Sequence, residues 1–443
     1  MEGLWGRGAN QAVDHFQRRD SELYAEDVPL RSIAYHYGTP TYVYSRATLQ
    51  RHVRVLQQAL SGTDHLICYA VKANGNLSLL QLFQSWGLGF DAVSVGELAR
   101  VLKAGGAPER TILSGVGKRD DEIATALECG VLYICVESAE ELEAVARIAR
   151  SRDVRAPVSI RVNPDVDPQT HPYIATGLKD NKFGVPWCDA PALYERALAT
   201  PALQLIGLTC HIGSQITELA PFVDAGRKIA QLAGELRAAG VPLRYLGMGG
   251  GLGIPYSNEA PPSPDSYGKA LADIVKPLGL TLVVEPGRVI TGNAGVLLAS
   301  VIRRKPGAAR PFVIIDAAMN DLVRPALYQA EHALELVTAA RGEPQPVDIV
   351  GPVCESADTL ARARPLPPLA AGDLIAIRTA GAYGFVMSST YNGRPRPAEI
   401  LVDGSGSQPI RRRESVSALW TGEMSLEGQP FNASIPERLA PGK

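Results

Sequence analysis

The stretch HLICYAVKAN (His65–Asn74) runs apolar from Leu66 to Val71, far too short to span a bilayer and rich in β-forming residues, and then places a lysine, Lys72, at its tip. A small residue and an Asn-Gly turn are expected to follow that lysine. Downstream the pattern recurs: LGFDAV, TILSG, LYICVE, PVSIRV, LIGLTCHIG, RYLGMGG and LTLVVEPG are each short and β-rich. The segments between them carry apolar residues at three- and four-residue spacing, as in SVGELARVLKAGG and SAEELEAVARIARS, the second opening with Ser138 as an N-cap. Eight strands alternating with helices predict a parallel (β/α)8 barrel, with a doubly wound open sheet as the alternative.

After about residue 300 the rhythm changes. FVIIDAAM, VDIVGPV, DLIAIRTAGAY and AEILVDG are β-rich and separated by Pro/Gly loops, with one helical stretch, ALYQAEHALELV, among them. The expected organisation is an N-terminal segment (1–45) contributing to the β domain, a barrel (46–297) and a mostly antiparallel β domain (298–443). In that scheme PTYVYS adds a strand to the β domain and Ser45 caps the barrel's first helix. The tail NASIPERLAPGK is expected to be loosely held.

A chain of 443 residues exceeds one ordinary core, and a barrel of roughly 250 residues leaves room for a second domain. Forty-four basic against 46 acidic side chains create no field suited to nucleic acid, so the expected partner is a small molecule. The six cysteines include no C-x-x-C pair, which argues against a zinc cage or a disulfide framework and for a reducing compartment. No apolar stretch of about 18 residues is present, and the start lacks the apolar core of a secretory signal, so a cytoplasmic location is expected, with no membrane partner.

Barrel active sites form at the C-terminal strand ends. Here those ends carry Lys72, Asp91, Arg161 with Asn163, His211 with Gly213 and Ser214, Gly249 to Gly251, and Glu285 with Gly287 and Arg288. GMGGGLGIPY lacks the G-x-G-x-x-G spacing and meets Pro255 where a helix should begin, so it is not a dinucleotide loop. GVGKRD is not a P-loop either, because Ile112 and Arg119 occupy positions that need Gly and Ser or Thr. Glycine amides can still cradle a phosphate. Among phosphorylated cofactors, pyridoxal 5'-phosphate needs a lysine amine for a Schiff base and a carboxylate to keep its ring nitrogen protonated, roles that suit Lys72 and Glu285. His211 could lie against the ring, while Ser214, the glycine run and the backbone after Glu285 hold the phosphate.

YAVKANGN, HIGSQ, GGGLGIPY, EPGRVITGNAG, MNDLVRPALY, GPVCESADTL and GAYGFVMSSTYNGRPRPAEIL together resemble the motifs of diaminopimelate decarboxylase, a fold-type III pyridoxal phosphate enzyme family, over most of the chain. The resemblance implies decarboxylation of meso-2,6-diaminopimelate to L-lysine and CO2, the last step of lysine biosynthesis, by a homodimer with shared active sites and no metal. It implies catalytic roles for Lys72, His211, Glu285 and Cys354. Cofactor contacts fall to Lys72, Asp91, His211, Ser214, Gly250, Gly251, Glu285, Gly287, Arg288 and Tyr383. Substrate contacts fall to Arg288, Arg324, Tyr328, Glu355 and Tyr383, with Cys354 and Glu355 reaching in from the other subunit. A thiol, mostly protonated at neutral pH, can serve as the acid that reprotonates the substrate carbon.

The distal end of diaminopimelate carries a carboxylate and an ammonium, so its pocket needs cations for one and an anion for the other. A related decarboxylase of another basic amino acid or a carboxylated polyamine is the alternative, although an amine-ended substrate would be repelled by arginines. Alanine racemases share cofactor and barrel but pair the ring nitrogen with arginine, and Glu285 argues against them. A non-catalytic pyridoxal phosphate-binding barrel would not need the CES and GAY segments. Gly75 stands where serine is common in the family, leaving room for a shifted substrate preference.

Overall fold

Each of the eight apolar runs forms a strand: β1 (His65–Ala70), β2 (Gly89–Ala92), β3 (Thr111–Leu113), β4 (Tyr133–Val136), β5 (Ala156–Asn163), β6 (Leu203–Thr209), β7 (Tyr245–Gly247) and β8 (Thr281–Val284). All pair in parallel, β8 beside β1 through Val283 and Leu66, and β4 beside β5 through Ile134 and Val158, so the sheet closes and the open-sheet alternative is excluded. Leu66, Cys68, Ile112, Tyr133, Cys135, Ile206 and Val283, drawn from strands around the ring, pack into one buried cluster, as the alternation of strand side chains requires. This computed structural model describes residues 14–167, 181–339 and 342–431; the first 13 residues of the expected N-terminal segment and the tail NASIPERLAPGK lie outside them. The described chain divides into a barrel unit, Thr48–Gly292, and a β unit made of Asp14–Ala47 and residues 293–431.

Ser138 opens its helix as expected, and Ser94 opens another. Ser94 Oγ accepts from Glu97 N at 3.2 Å to open Val95–Lys103, and Ser138 Oγ accepts from Glu141 N at 3.0 Å to open Ala139–Ser151. The expected Asn-Gly turn after Lys72 does not form. Val71–Ala73 instead make one 3-10 turn, Asn74 is extended at φ −162°, and Asn76 caps helix Leu77–Ser85 by accepting from Ser78 N at 3.0 Å. The amide-capped helix start outcompetes the turn because it satisfies an otherwise orphaned N–H.

In the β unit the 11-residue strand Gly295–Lys305 is the hub, pairing antiparallel with Thr41–Ser45, Phe312–Ile315 and Leu374–Ile377. PTYVYS therefore does join this sheet. Two parallel pairs interrupt the antiparallel order, Phe312–Ile315 with Gln345–Val350 and Ala398–Asp403 with Thr41–Ser45.

The helix expected over ALYQAEHALELV is wrong. Helix Arg324–Tyr328 lasts five residues, ends where Gln329 turns left-handed at φ 52°, and Leu334–Leu336 become a strand paired with Leu374–Ile377. Sheet pairing and burial override helical periodicity in so short an apolar run.

Candidate active site

Lys72 follows the end of β1, Asp91 lies in β2, Arg161 in β5, His211 follows β6 and Glu285 follows β8; together with Phe183 they line a cavity of about 60 Å³. Lys72 Nζ stands 3.6 Å from Asp91 Oδ2, and Asp91 is fully buried. Among the described residues neither Asp91 oxygen nor Glu285 Oε1 has a hydrogen-bond partner. Burial first, and then the Asp91 carboxylate, push the Glu285 carboxyl well above the usual range, while Lys72 and Arg161 oppose the shift without overcoming it. A buried carboxyl with an unfilled oxygen is built to receive a proton-bearing or cationic group.

His211 is oriented by the backbone. Its Nδ1 accepts from Gly250 N at 3.0 Å, and burial, followed by repulsion from Arg161 and Lys72, holds the imidazole pKa well below its ordinary value. The neutral ring therefore carries its proton on Nε2. Arg161 Nη1 pairs with Glu137 Oε1 at 3.3 Å, and its guanidinium sits 4.9 Å from the centre of the Phe183 ring.

Beside this cavity, Gly250 and Gly251 bring backbone where no side chain would fit. A Cβ on Gly250 would lie 2.2 Å from Glu285 O; on Gly251, at φ +107°, it would lie 2.4 Å from Gly213 O. Buried Arg288 follows Gly287, which precedes the short helix Arg288–Thr291. Its Nη2 donates to Ser214 Oγ at 3.1 Å and its Nη1 to Tyr256 OH. Ser214, Gly250, Gly251, Gly287 and Arg288 thus form one neighbourhood of donors and bare backbone.

The remaining candidates belong to the β unit. Arg324 is buried and its Nη1 lies 3.2 Å from His332 Nε2, while Tyr328 closes the same short helix. Cys354 and Glu355 are exposed on a loop, with Cys354 N donating to Asn392 Oδ1 at 2.7 Å. Tyr383 has a left-handed backbone, φ 56°, a strained state for an aromatic residue that is most often tolerated at functional positions.

The donor set matches pyridoxal phosphate. Lys72 offers the amine, the unfilled Glu285 Oε1 offers an acceptor for a ring N–H, and the Gly250–Gly251 backbone with Ser214 offers room and donors for a phosphate.

Residues 46–292 match the family model for the pyridoxal-dependent decarboxylase, pyridoxal binding domain. Over 414 residues the chain is 52% identical to the diaminopimelate decarboxylase of Pseudomonas aeruginosa, covering 94% of this chain and 100% of that protein. This chain belongs to the diaminopimelate decarboxylase family. The relative from Vibrio cholerae is 50% identical over 94% of this chain and all of its own length. The crystal structure of the Helicobacter pylori diaminopimelate decarboxylase complexed with L-lysine superposes with a TM-score of 0.87 at 42% identity, covering 89% of this chain and 99% of that one. That of M. jannaschii, in co-complex with L-lysine, gives 0.89 at 33% identity over 94% and 98%. The cofactor of this diaminopimelate decarboxylase family is pyridoxal phosphate.

Sequence reasoning missed Phe183, Tyr256, Glu137 and His332 as neighbours of site residues. Tyr256 stands in the quoted GGGLGIPY motif and was within reach; Phe183 carries no local signal. Among the described residues no cluster of His, Cys, Asp or Glu could hold a metal, and no helix is long and apolar enough to cross a membrane.

Proposed function

We propose that Lys72, Glu285, His211 and Cys354 divide the chemistry by which this chain decarboxylates meso-2,6-diaminopimelate to L-lysine and CO2. The observation that carries the assignment is Glu285, buried on the Lys72 rim with an oxygen that no group among the described residues satisfies. Pyridoxal phosphate, when bound, supplies a ring that spreads the negative charge left on the substrate carbon as CO2 departs. Lys72 would hold it covalently, Glu285 would keep its ring nitrogen protonated, and neutral His211 would lie against its ring without adding a charge. Asp91 Oδ2, 3.6 Å from Lys72 Nζ, pairs with that amine. Ser214, Gly250, Gly251, Gly287, Arg288 and Tyr383 would hold the phosphate.

At the substrate, the Arg288 and Arg324 guanidinium groups with Tyr328 and Tyr383 bind the distal carboxylate, and Glu355 binds the distal ammonium. Buried Arg324 favours a carboxylate-ended substrate over ornithine, because an amine-ended chain would bring a like charge against the guanidinium. Cys354 gives a proton to the substrate carbon after CO2 leaves. The exposure of Cys354 and Glu355 supports a homodimer in which each subunit lends these two residues to its partner's site. Six free cysteines support a cytoplasmic enzyme.

Incubation of the holoenzyme with meso-diaminopimelate, ornithine and arginine separately tests the reaction: lysine and CO2 should appear from the first alone, and CO2 from ornithine would defeat the assignment. Mixing Lys72→Ala with Cys354→Ala subunits tests the shared site. Recovered activity is expected, and none would show that each site is built from one chain.

A further inference from the structure

We propose that His332 is a positioning residue that sets substrate specificity by holding the Arg324 guanidinium in the orientation needed for the distal carboxylate. This rests on the reading of Arg324 as that carboxylate's partner. His332 is 1% exposed, with Nε2 at 3.2 Å from Arg324 Nη1 and Nδ1 at 2.9 Å from the Arg378 carbonyl oxygen. A guanidinium can only donate and a carbonyl can only accept, so a single state of the imidazole serves both: neutral, with the proton on Nδ1 and the lone pair of Nε2 turned to Arg324. The ring is thereby an aimed acceptor, fixed at one end by backbone and gripping the arginine at the other.

The chain geometry that achieves this is the one the helical pattern hides. Had the helix continued beyond Tyr328, residue 332 would lie about 12 Å along the axis from residue 324. The left-handed Gln329 breaks the helix, the chain doubles back, and Arg378 N donates to Ala333 O at 2.8 Å as the sheet pairing of Leu334–Leu336 begins. That pairing delivers the His332 ring to both of its partners. A neutral acceptor leaves the arginine its charge for an anion, whereas a carboxylate at position 332 would neutralise it. Orientation in advance reduces what binding must spend on ordering a long side chain.

The test uses two ligands of the holoenzyme. L-Lysine, the product, retains the distal carboxylate; cadaverine has the same carbon chain and both amines but no carboxylate. Asparagine at 332 can mimic Nδ1 yet falls short of Arg324, while glutamine reaches the position of Nε2. We expect His332→Asn to weaken L-lysine binding, by calorimetry, about tenfold with cadaverine affinity unchanged, and to raise KM for diaminopimelate more than it lowers kcat. His332→Gln should stay within about threefold of the unaltered enzyme for both ligands. Equal changes for the two ligands in His332→Asn, or none for either, would overturn the positioning role. Arg324→Ala separates the layers: if it leaves L-lysine affinity intact, the carboxylate reading of Arg324 falls; if it weakens L-lysine and His332→Asn does not, only the inference about His332 falls.

Discussion

On the barrel rim, Lys72, His211 and Glu285 stand just beyond the ends of parallel strands and Asp91 lies inside one, whereas in the β unit Arg324 begins a five-residue helix, Cys354 sits on a loop and Tyr383 occupies a left-handed turn. The rim side chains are aimed by the sheet itself, since closure of the barrel fixes where every strand ends. Those of the β unit are aimed by individual hydrogen bonds. Asp358, for example, accepts from Met319 N at 2.7 Å and from Val353 N at 2.8 Å, tying down the loop that carries Cys354. A rim can therefore keep buried carboxylate oxygens without hydrogen-bond partners among the described residues, because its backbone is held elsewhere, while the loop that carries Cys354 depends on the two bonds to Asp358.

Removing the amine at the rim should have the largest effect. Lys72→Ala is expected to abolish the visible absorbance of the bound cofactor and lower kcat/KM at least about a thousandfold, with thermal stability little changed. If the absorbance persisted, another lysine would hold the cofactor and the rim would lose its centre. Glu285→Gln comes next: kcat should fall by about 10²–10³ while the cofactor remains bound, since the neutral amide cannot keep a ring nitrogen charged.

The β unit should answer differently to a change of similar size. Asp358→Ala strands two amides, that of Val353 buried and that of Met319 partly so, and unfolding free energy should drop by about 1–3 kcal/mol in denaturant titrations, with kcat falling as the Cys354 loop loosens. Unchanged stability would erase the contrast between the two regions. The smallest effect is a pH dependence. In the cofactor-free protein the Glu285 carboxyl titrates well above the unfolded chain's ordinary value of about 4.3, so between those two values the native state holds the extra proton. The contribution of this group to stability is complete at low pH and declines as pH rises through the folded value. Melting temperatures of the cofactor-free protein should therefore decline more steeply between about pH 5 and 8 than those of Glu285→Gln, and parallel curves would place Glu285 in a solvated setting.

How much could be read in advance follows the same division. Each barrel strand announced itself by a short β-rich run, and Lys72, Asp91, His211 and Glu285 were legible because each lies at or near the end of one. Arg324 was legible only through the family motif around it. The run ALYQAEHALELV has helical spacing, yet it turns at Gln329 and pairs as a strand, because neighbours in sequence cannot report a partner strand some 40 residues away. Glu137 and Phe183 were missed for the same reason, since only folding brings them to Arg161.

The sequence alone determined the alternation of strands and helices, the capped helix start at Ser138, and the chemical kinds of group available at the strand ends. These depend on a side chain and its near neighbours, where a period of two or of 3.6 decides which face is apolar. Tertiary structure decided that β8 meets β1 to close the barrel, that Glu285 is buried with an unfilled oxygen, that His211 receives the Gly250 amide, and that His332 reaches Arg324. Burial and hydrogen-bond partners are set by residues distant in the chain, and no local pattern encodes which of them will arrive.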